Sequence, residues 1–163
     1  MKGKTRVGIG CDVHPLVPGR RLVLGGVDIP FGKGLSGWSD ADVLSHAIID
    51  ALLGAAALGD IGSHFPPGEP QYKDISSLAL LKRVKDELAE NGWRVDNIDA
   101  TIVAELPKLG VFIFKMRQQL SQTLGIALSQ VSVKASTSAK LGFVGREEGM
   151  VTYAVALIES ASD

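Results

Sequence analysis

Two histidines and an aspartate are the first residues in this chain whose types suggest chemistry. Asp12 and His14 are two positions apart, so on an extended strand their side chains project to the same side. His46 lies further along, in an apolar segment. A carboxylate with two imidazoles is a ligand set that zinc accepts, and three protein ligands leave one tetrahedral position open, as in catalytic sites. We therefore predict a metal site, although Asp12 could instead accept hydrogen bonds at a strand end, and a lone histidine on a helix is often no ligand.

The strand that carries the first pair alternates in character. Apolar side chains from Val7 to Cys11 point to one side, while Gly8 and Gly10 fall on the side of the pair. This alternation is typical of a half-buried strand. The glycines predict an unobstructed floor beside the candidate metal ligands.

A helix should position His46. Ser39 and Asp42 match the capping-box pattern, which predicts a helix from Ser39 that Gly59 ends. His46 and Asp50 are four apart and lie off the apolar stripe, with Asp42 on the same side. Either carboxylate could orient the imidazole, or all three side chains could simply face solvent. The apolar stripe consists of Leu44, Ala47, Ile48, Ala51, Leu52 and Ala55.

The remaining segments predict an α+β fold, with one mixed sheet and helices packed on a face of it, because strands outnumber helices and alternate with them. Residues 31–38 and 60–70 are rich in Gly or Pro and predict loops, the second a candidate lid in which His64 has no evident partner. The other predicted elements are a hairpin at 22–30, helices from Ser77 to Asn91 and up to Leu124 with Gly125 closing it, and strands at 98–104, 131–135 and 150–158.

Length and composition restrict the classes of protein to which this chain can belong. The 163 residues predict a single domain, and a net charge of −1 gives no indication of a nucleic-acid or membrane partner. One cysteine, Cys11, excludes an internal disulfide framework and fits a reducing compartment. No apolar run is long enough for a membrane span. We expect a soluble, cytoplasmic protein.

Phosphate-binding groups follow the later strands. Three successive hydroxyls run from Ser136 to Ser138, and Lys108, Lys140 and Arg146 supply positive charge. Arginine can grip two phosphate oxygens at once. With a divalent metal this set predicts an oligophosphate site, although Ser/Thr clusters also occur in plain turns.

Together these motifs resemble the 2-C-methyl-D-erythritol 2,4-cyclodiphosphate synthase family over nearly the whole chain. Several unrelated segments agree in order, so the resemblance is specific. The matching segments are Asp12-Val13-His14, Ser39 to Asp42 with His46, Asp50 to Gly62, Pro107-Lys108-Leu109, and Lys140 to Phe143 with Gly145-Arg146.

The resemblance implies a zinc-dependent phosphorus–oxygen lyase, a homotrimer of ferredoxin-like subunits with active sites at subunit interfaces. Such an enzyme converts 4-diphosphocytidyl-2-C-methyl-D-erythritol 2-phosphate to the cyclodiphosphate and CMP, in the non-mevalonate route to isoprenoid precursors. By position, Asp12, His14 and His46 hold zinc, and Thr137 and Trp38 are the catalytic positions. The positions matching substrate-binding residues are Asp12, His14, Trp38, Ser39, Asp60, Ile61, Gly62, Phe65, Ala104, Pro107, Lys108, Leu109, Gly110, Ala135, Ser136, Thr137, Ser138, Ala139, Phe143 and Arg146.

Two positions depart from the family pattern. Trp38 replaces a histidine of many members, and an indole can donate one hydrogen bond but carries no charge. Ala139 replaces a glutamate that usually binds a second divalent ion, which puts a Mg²⁺ or Mn²⁺ site in doubt. These departures motivate one alternative, a catalytically weakened phosphate-binding or scaffold protein. A zinc hydrolase that releases a linear product is another, weaker because no residue is evidently placed to aim a water.

Overall fold

The computed structural model describes residues 4–161. Within this range it confirms the predicted α+β class, with a mixed sheet and helices. The strands are β1 (Thr5–Pro18), β2 (Leu22–Leu24), β3 (Val27–Ile29), β4 (Lys33–Leu35), β5 (Trp93–Val103), β6 (Val131–Ser136) and β7 (Gly149–Ser160). The helices are α1 (Val43–Ala56), α2 (Ile61–His64), α3 (Ser77–Glu90), α4 (Ile113–Leu124) and α5 (Gly142–Gly145).

The main sheet has five strands in the order β4-β1-β7-β5-β6. Strand β7 runs antiparallel to both β1 and β5, whereas β5 and β6 are parallel. Parallel neighbours need a crossover connection, and α4 lies within it. The predicted hairpin is confirmed as the separate pair of β2 and β3.

Helix α1 packs directly on β1 because two glycines remove the side chains that would separate them. A Cβ atom at Gly8 would lie 2.0 Å from the carbonyl oxygen of Ala51, and one at Gly10 would lie 1.9 Å from that of Ala47. The prediction of an unobstructed floor is therefore wrong, because the helix backbone occupies that space. The two glycines instead set the distance at which α1 meets the strand.

Nearly every side of α1 is buried, so its polar residues do not form the solvated face that we considered. His46 is 8% exposed and Asp42 is fully buried. A helix that is apolar all round belongs in a protein interior. The opposite face of β1 is open, since Val7 and Ile9 are 66% and 72% exposed in the described chain.

Helix α1 is shorter at both ends than the prediction of Ser39 to Gly59. Ala41 has a left-handed φ of 57°, which interrupts helical geometry, and Asp42 is the N-cap, its side chain accepting from the backbone N–H of Ser45. At the other end Ala57 has a φ of 59° and closes the helix before Gly59. The capping-box prediction at Ser39 is therefore wrong.

Other boundaries follow the sequence more closely. Helix α3, the end of α4 at Gly125, and strands β6 and β7 are confirmed within a residue or two. Strand β5 begins earlier than predicted, and the two predicted loops contain β4 and α2. Strand β4 forms because residues 33–35 pair with the end of β1, which local composition does not indicate. Among residues 4–161, no helix combines the length and the hydrophobicity that a membrane-spanning segment requires.

Candidate active site

Asp12, His14 and His46 converge on one point, as predicted. Strand β1 carries the first two on its helix-facing side, and the first turn of α1 delivers the third. The Oδ2 atom of Asp12 lies 2.8 Å from Nε2 of His14 and 3.0 Å from Nδ1 of His46. The two ring nitrogens are 3.2 Å apart.

The outer nitrogens of both rings have hydrogen-bond acceptors. Nδ1 of His14 lies 2.8 Å from the carbonyl oxygen of Ser36 and donates to it. Nε2 of His46 lies 2.8 Å from Oγ of Ser77 and 3.1 Å from Oγ of Ser39. With these outer nitrogens protonated, the converging nitrogens carry lone pairs, as metal ligands require.

The three side chains also shape one another's protonation. Burial by itself raises the pKa of Asp12, but the hydrogen bonds and positive charge that His14 and His46 supply when their rings are protonated lower it to about 2. Burial by itself lowers the pKa of His14, but the hydrogen bond and charge of Asp12 raise it above its ordinary value. The carboxylate therefore stays ionised at neutral pH and holds a proton near the imidazoles when no cation is bound.

The donor set and spacing fit a small divalent cation. Tetrahedral zinc bonds nitrogen and oxygen ligands at about 2.0–2.1 Å, which separates ligand atoms by roughly 3.3 Å. The three converging atoms lie 2.8–3.2 Å apart, so small outward movements suffice.

Neither carboxylate proposed as an orienting group for His46 has that role. Asp42 accepts hydrogen bonds from the backbone N–H groups of Gly25 and Gly26 at 2.9 and 2.8 Å, which ties the β2–β3 turn to α1. Asp50 accepts from the N–H of Ile61 at 2.8 Å and holds the start of α2. The interpretation of Asp42 or Asp50 as the orienting group is therefore wrong, because each carboxylate accepts hydrogen bonds from backbone N–H groups of another segment.

A cavity of about 210 Å³ opens in front of Asp12, His14 and His46, which we call the metal-type cluster. It brings together the predicted Trp38, Ser39, Ile61, Gly62 and Phe65. Three further residues line the cavity without having been predicted from the sequence, and these are Pro67, Tyr72 and Leu80. Tyr72 packs edge-on against Phe65 at a ring-centroid distance of 5.5 Å, so this aromatic pair forms part of the apolar wall of the cavity.

Two residues predicted for this side have other contacts. The Asp60 side chain does not line the cavity; it caps α2 by accepting from the N–H of Ser63 at 2.8 Å. The indole Nε1 of Trp38 donates to the carbonyl oxygen of Glu69 at 2.9 Å. This bond commits the single donor of Trp38 and ties it to the segment 60–70, which we predicted to be a loop and a candidate lid. His64, predicted without a partner, contacts Glu87 at 3.1 Å.

A second cavity of about 390 Å³ lies at the ends of β5 and β6. Every residue predicted there from 104–110 and 135–137 lines it, with Glu105 and Ile113 in addition to the chosen set. Glu105 holds the loop together, since its Oε1 accepts from the N–H groups of Ser138 and Lys140, both at 3.0 Å. The Lys140 bond contributes most to lowering the pKa of Glu105, which favours its ionised form.

Besides Asp60, four predicted substrate residues lie outside both cavities: Ser138, Ala139, Phe143 and Arg146. Ala139 and Lys140 both have left-handed backbone conformations, in the loop that Glu105 holds. Arg146 forms a two-point ion pair with Glu148, at 2.9 and 3.1 Å, so within one chain its guanidinium is already engaged.

The two cavities occupy the same end of the sheet but different strands. Asp12 pairs with Thr152, Thr152 with Ile102, and Ile102 with Ala135. Three inter-strand steps separate Asp12 from Ala135, or about 14 Å. No lining residue within 4–161 belongs to both cavities. The metal-type cluster and the hydroxyl-rich loops are thus separate half-sites within one chain.

These features describe a class of α+β protein that has a metal-type cluster of two histidines and one aspartate and a separate cavity lined by a lysine and hydroxyl side chains. Comparison with known proteins agrees with this class and narrows it. The model of the YgbB family matches residues 5–159, and the chain belongs to that family.

Its relatives are similar over nearly their full lengths. The 2-C-methyl-D-erythritol 2,4-cyclodiphosphate synthase of Dehalococcoides mccartyi strain CBDB1 is 62% identical over 154 residues, 94% of this chain and 98% of that protein. The synthase of Syntrophomonas wolfei is 61% identical over 156 residues, 96% and 99% of the two chains.

Solved structures share the fold. The bifunctional IspDF of Campylobacter jejuni matches with a TM-score of 0.94 and 40% identity, over 98% of this chain but only 43% of that larger protein. The IspF of Plasmodium falciparum, described as a CDP complex, matches with a TM-score of 0.85 and 29% identity over 99% of this chain and its own whole length.

Proposed function

We propose that this protein is a zinc-dependent lyase that forms 2-C-methyl-D-erythritol 2,4-cyclodiphosphate from 4-diphosphocytidyl-2-C-methyl-D-erythritol 2-phosphate. The observation that carries the proposal is the convergence of Asp12, His14 and His46 beside an apolar cavity, in a chain whose relatives carry the synthase name. The reaction belongs to the non-mevalonate route, and we expect it to occur in the cytoplasm.

The cyclisation needs no protein nucleophile. An oxygen of the 2-phosphate forms a bond to the β-phosphorus, the bond from that phosphorus to the oxygen bridging to the α-phosphate breaks, and CMP leaves with that oxygen. No water or redox partner is consumed. Catalysis is therefore mainly a matter of positioning two anionic groups and offsetting their charge.

Each half-site has a distinct task in this proposal. The apolar wall formed with Phe65 and Tyr72 receives the methylerythritol, while the loops at 104–110 and 135–137 receive the cytidine diphosphate, with Lys108 supplying positive charge and Thr137 a hydroxyl at the reacting phosphate. Zinc, when bound by the cluster, supplies Lewis-acid neutralisation of phosphate charge. Trp38 forms a wall of the cavity, and its indole can serve as a donor to substrate only after its bond to Glu69 opens.

Assembly as a homotrimer of ferredoxin-like subunits completes the proposal. The exposed face of β1 and β7 carries neighbouring apolar side chains, with Ile9 paired to Val155 and Cys11 paired to Tyr153. A contiguous exposed apolar surface of this kind favours a protein interface, and soluble oligomers favour closed symmetry. We propose that this contact brings the first cavity of one subunit beside the second cavity of its neighbour. Light scattering that finds an active monomer would contradict this.

Incubation of the purified zinc-loaded protein with the cytidyl substrate tests the function. ³¹P NMR should show the cyclic diphosphate and CMP appearing in equal amounts, and His46→Ala should remain folded while losing zinc and turnover. A linear phosphate product would favour the hydrolase alternative. Zinc binding without CMP release would favour a phosphate-binding or scaffold protein.

A further inference from the structure

A chain of hydrogen bonds runs from the N-terminus of α3 to the metal-type cluster. Ser77, the first residue of α3, is fully buried, and its Oγ lies 2.8 Å from Nε2 of His46. The same hydroxyl donates to Oδ1 of Asp40. Neither Ser77 nor Asp40 lines the cavity.

We propose that Asp40 and Ser77 are positioning residues that lock the His46 ring so that Nδ1 faces Asp12 and the metal. We call the hydrogen-bonded chain of His46, Ser77 and Asp40 the relay, and this inference rests on the proposed metal site. In the relay, Nε2–H of His46 donates to Ser77, and Ser77 donates to the Asp40 carboxylate. While the Ser77 hydroxyl donates to Asp40, its oxygen can only accept from His46. The tautomer with the proton on Nδ1 would therefore place the lone pair of Nε2 against a lone pair of the Ser77 oxygen.

The relay is built from several segments that hold Asp40 in place. Its Oδ2 accepts from the backbone N–H of Ser77 at 3.0 Å, where the dipole of α3 favours a negative charge. Its own N–H donates to the carbonyl oxygen of Ile75 at 3.0 Å, and the N–H of Asp74 donates to the carbonyl of Trp38 at 2.9 Å. These bonds join the segments 38–40 and 74–77 directly behind the metal-type cluster.

Ser39 is a weaker alternative partner for the ring. Its Oγ lies 3.1 Å from Nε2 of His46 and already accepts from the N–H of Ala41 at 3.2 Å. Only the Ser77 hydroxyl donates onward to a carboxylate. A hydroxyl so polarised is the better acceptor, which increases the electron density that the imidazole offers to a metal.

Zinc affinity measured by competition with a chelator tests the inference. Ser77→Ala should weaken zinc binding about 10- to 100-fold, the usual effect of removing a group that orients a metal ligand. Asp40→Asn, which keeps an oxygen acceptor but no charge, should weaken it less. The matched control is Ser76→Ala, because Ser76 is the exposed N-cap residue of α3 and makes no side-chain cap bond. Its zinc affinity should stay within twofold of the parent.

The outcomes separate this inference from the proposed function. A parent protein that binds no zinc would refute the metal site itself. A parent that binds zinc, with a folded Ser77→Ala variant binding equally well, would overturn the relay alone. If Ser77→Ala does not fold, the zinc affinity of Asp40→Asn decides: the relay requires weaker binding than in the parent, and equal affinity in the folded Asp40→Asn variant refutes it.

Discussion

Replacing Gly10 with alanine should move α1 and thereby damage the metal-type cluster. Gly10 lies in the extended backbone of β1, a conformation open to any residue, so the cost is steric. The new Cβ would lie 1.9 Å from the carbonyl oxygen of Ala47 and 2.8 Å from the N–H nitrogen of Ala51. Both atoms belong to the backbone of α1, so no side-chain rotation can relieve the contact.

The size of the effect follows from these distances. An ordinary contact begins near 3.4 Å, so the helix must retreat by about 1.5 Å or the sheet must bend. Overpacking a core costs typically about 1–3 kcal/mol, and a rigid backbone clash should lie at the upper end. For a protein of this size about 3 kcal/mol lowers Tm by roughly 6–12 °C.

The same movement should weaken zinc binding, because His46 immediately precedes Ala47. Its Nδ1 lies 3.0 Å from Asp12, and a retreat of more than 1 Å opens that spacing beyond what one small ion can bridge. We expect at least about tenfold weaker affinity, as for other losses of ligand orientation.

Thermal unfolding and chelator competition measure both effects, and Gly54→Ala is the matched control. Gly54 lies on α1 itself, with its nearest contact, the carbonyl oxygen of Ile9, 4.0 Å from an added Cβ. Alanine there should stabilise the helix by about 0.5–1 kcal/mol. A Gly10→Ala protein that melts within 2 °C of the parent and binds zinc normally would refute the close-packing argument.

Three further predictions concern the site. The pKa of His14 is raised above its ordinary value of 6.5, and a metal binds only the neutral ring. Zinc affinity should therefore be independent of pH above that raised pKa and fall by up to about tenfold per pH unit below it. Chelator competition that finds the same zinc affinity down to about pH 5.5 would contradict this. Glu105→Ala should release the loop at 136–140 and raise KM for the cytidyl substrate on the order of tenfold, whereas Glu105→Gln, which keeps an acceptor, should raise it less; equal KM values for parent and alanine variant would remove Glu105 from this role. Ala139→Glu should strengthen the dependence of turnover on Mg²⁺ or Mn²⁺, and Trp38→His should raise turnover, each by about tenfold, in assays that vary the metal concentration. Arg146→Ala serves as the comparison, and if all three variants match the parent, the phosphate site lies elsewhere.

Features that depend on neighbouring residues in the chain could be predicted from the sequence. The spacing of Asp12 and His14 places both on one side of a strand, and Gly125 ends α4 in the left-handed conformation that glycine adopts readily. The hairpin at 22–30 and the later strands could also be predicted, because the apolar pattern of a strand and the turn residues beside it are local features of the sequence. Family motifs added the lining of the second cavity, although they did not indicate that Arg146 would pair with Glu148.

The way in which distant segments meet could not be predicted from the sequence and depends on how the whole chain packs. His46 reaches Asp12 because two glycines let α1 approach β1, and periodicity alone suggested an open floor there. The partner that orients His46 is Ser77, 31 residues away, rather than a carboxylate on the same helix. Hydrogen-bond partners across such separations depend on where whole elements pack, and packing is summed over the entire core rather than encoded by any local pattern.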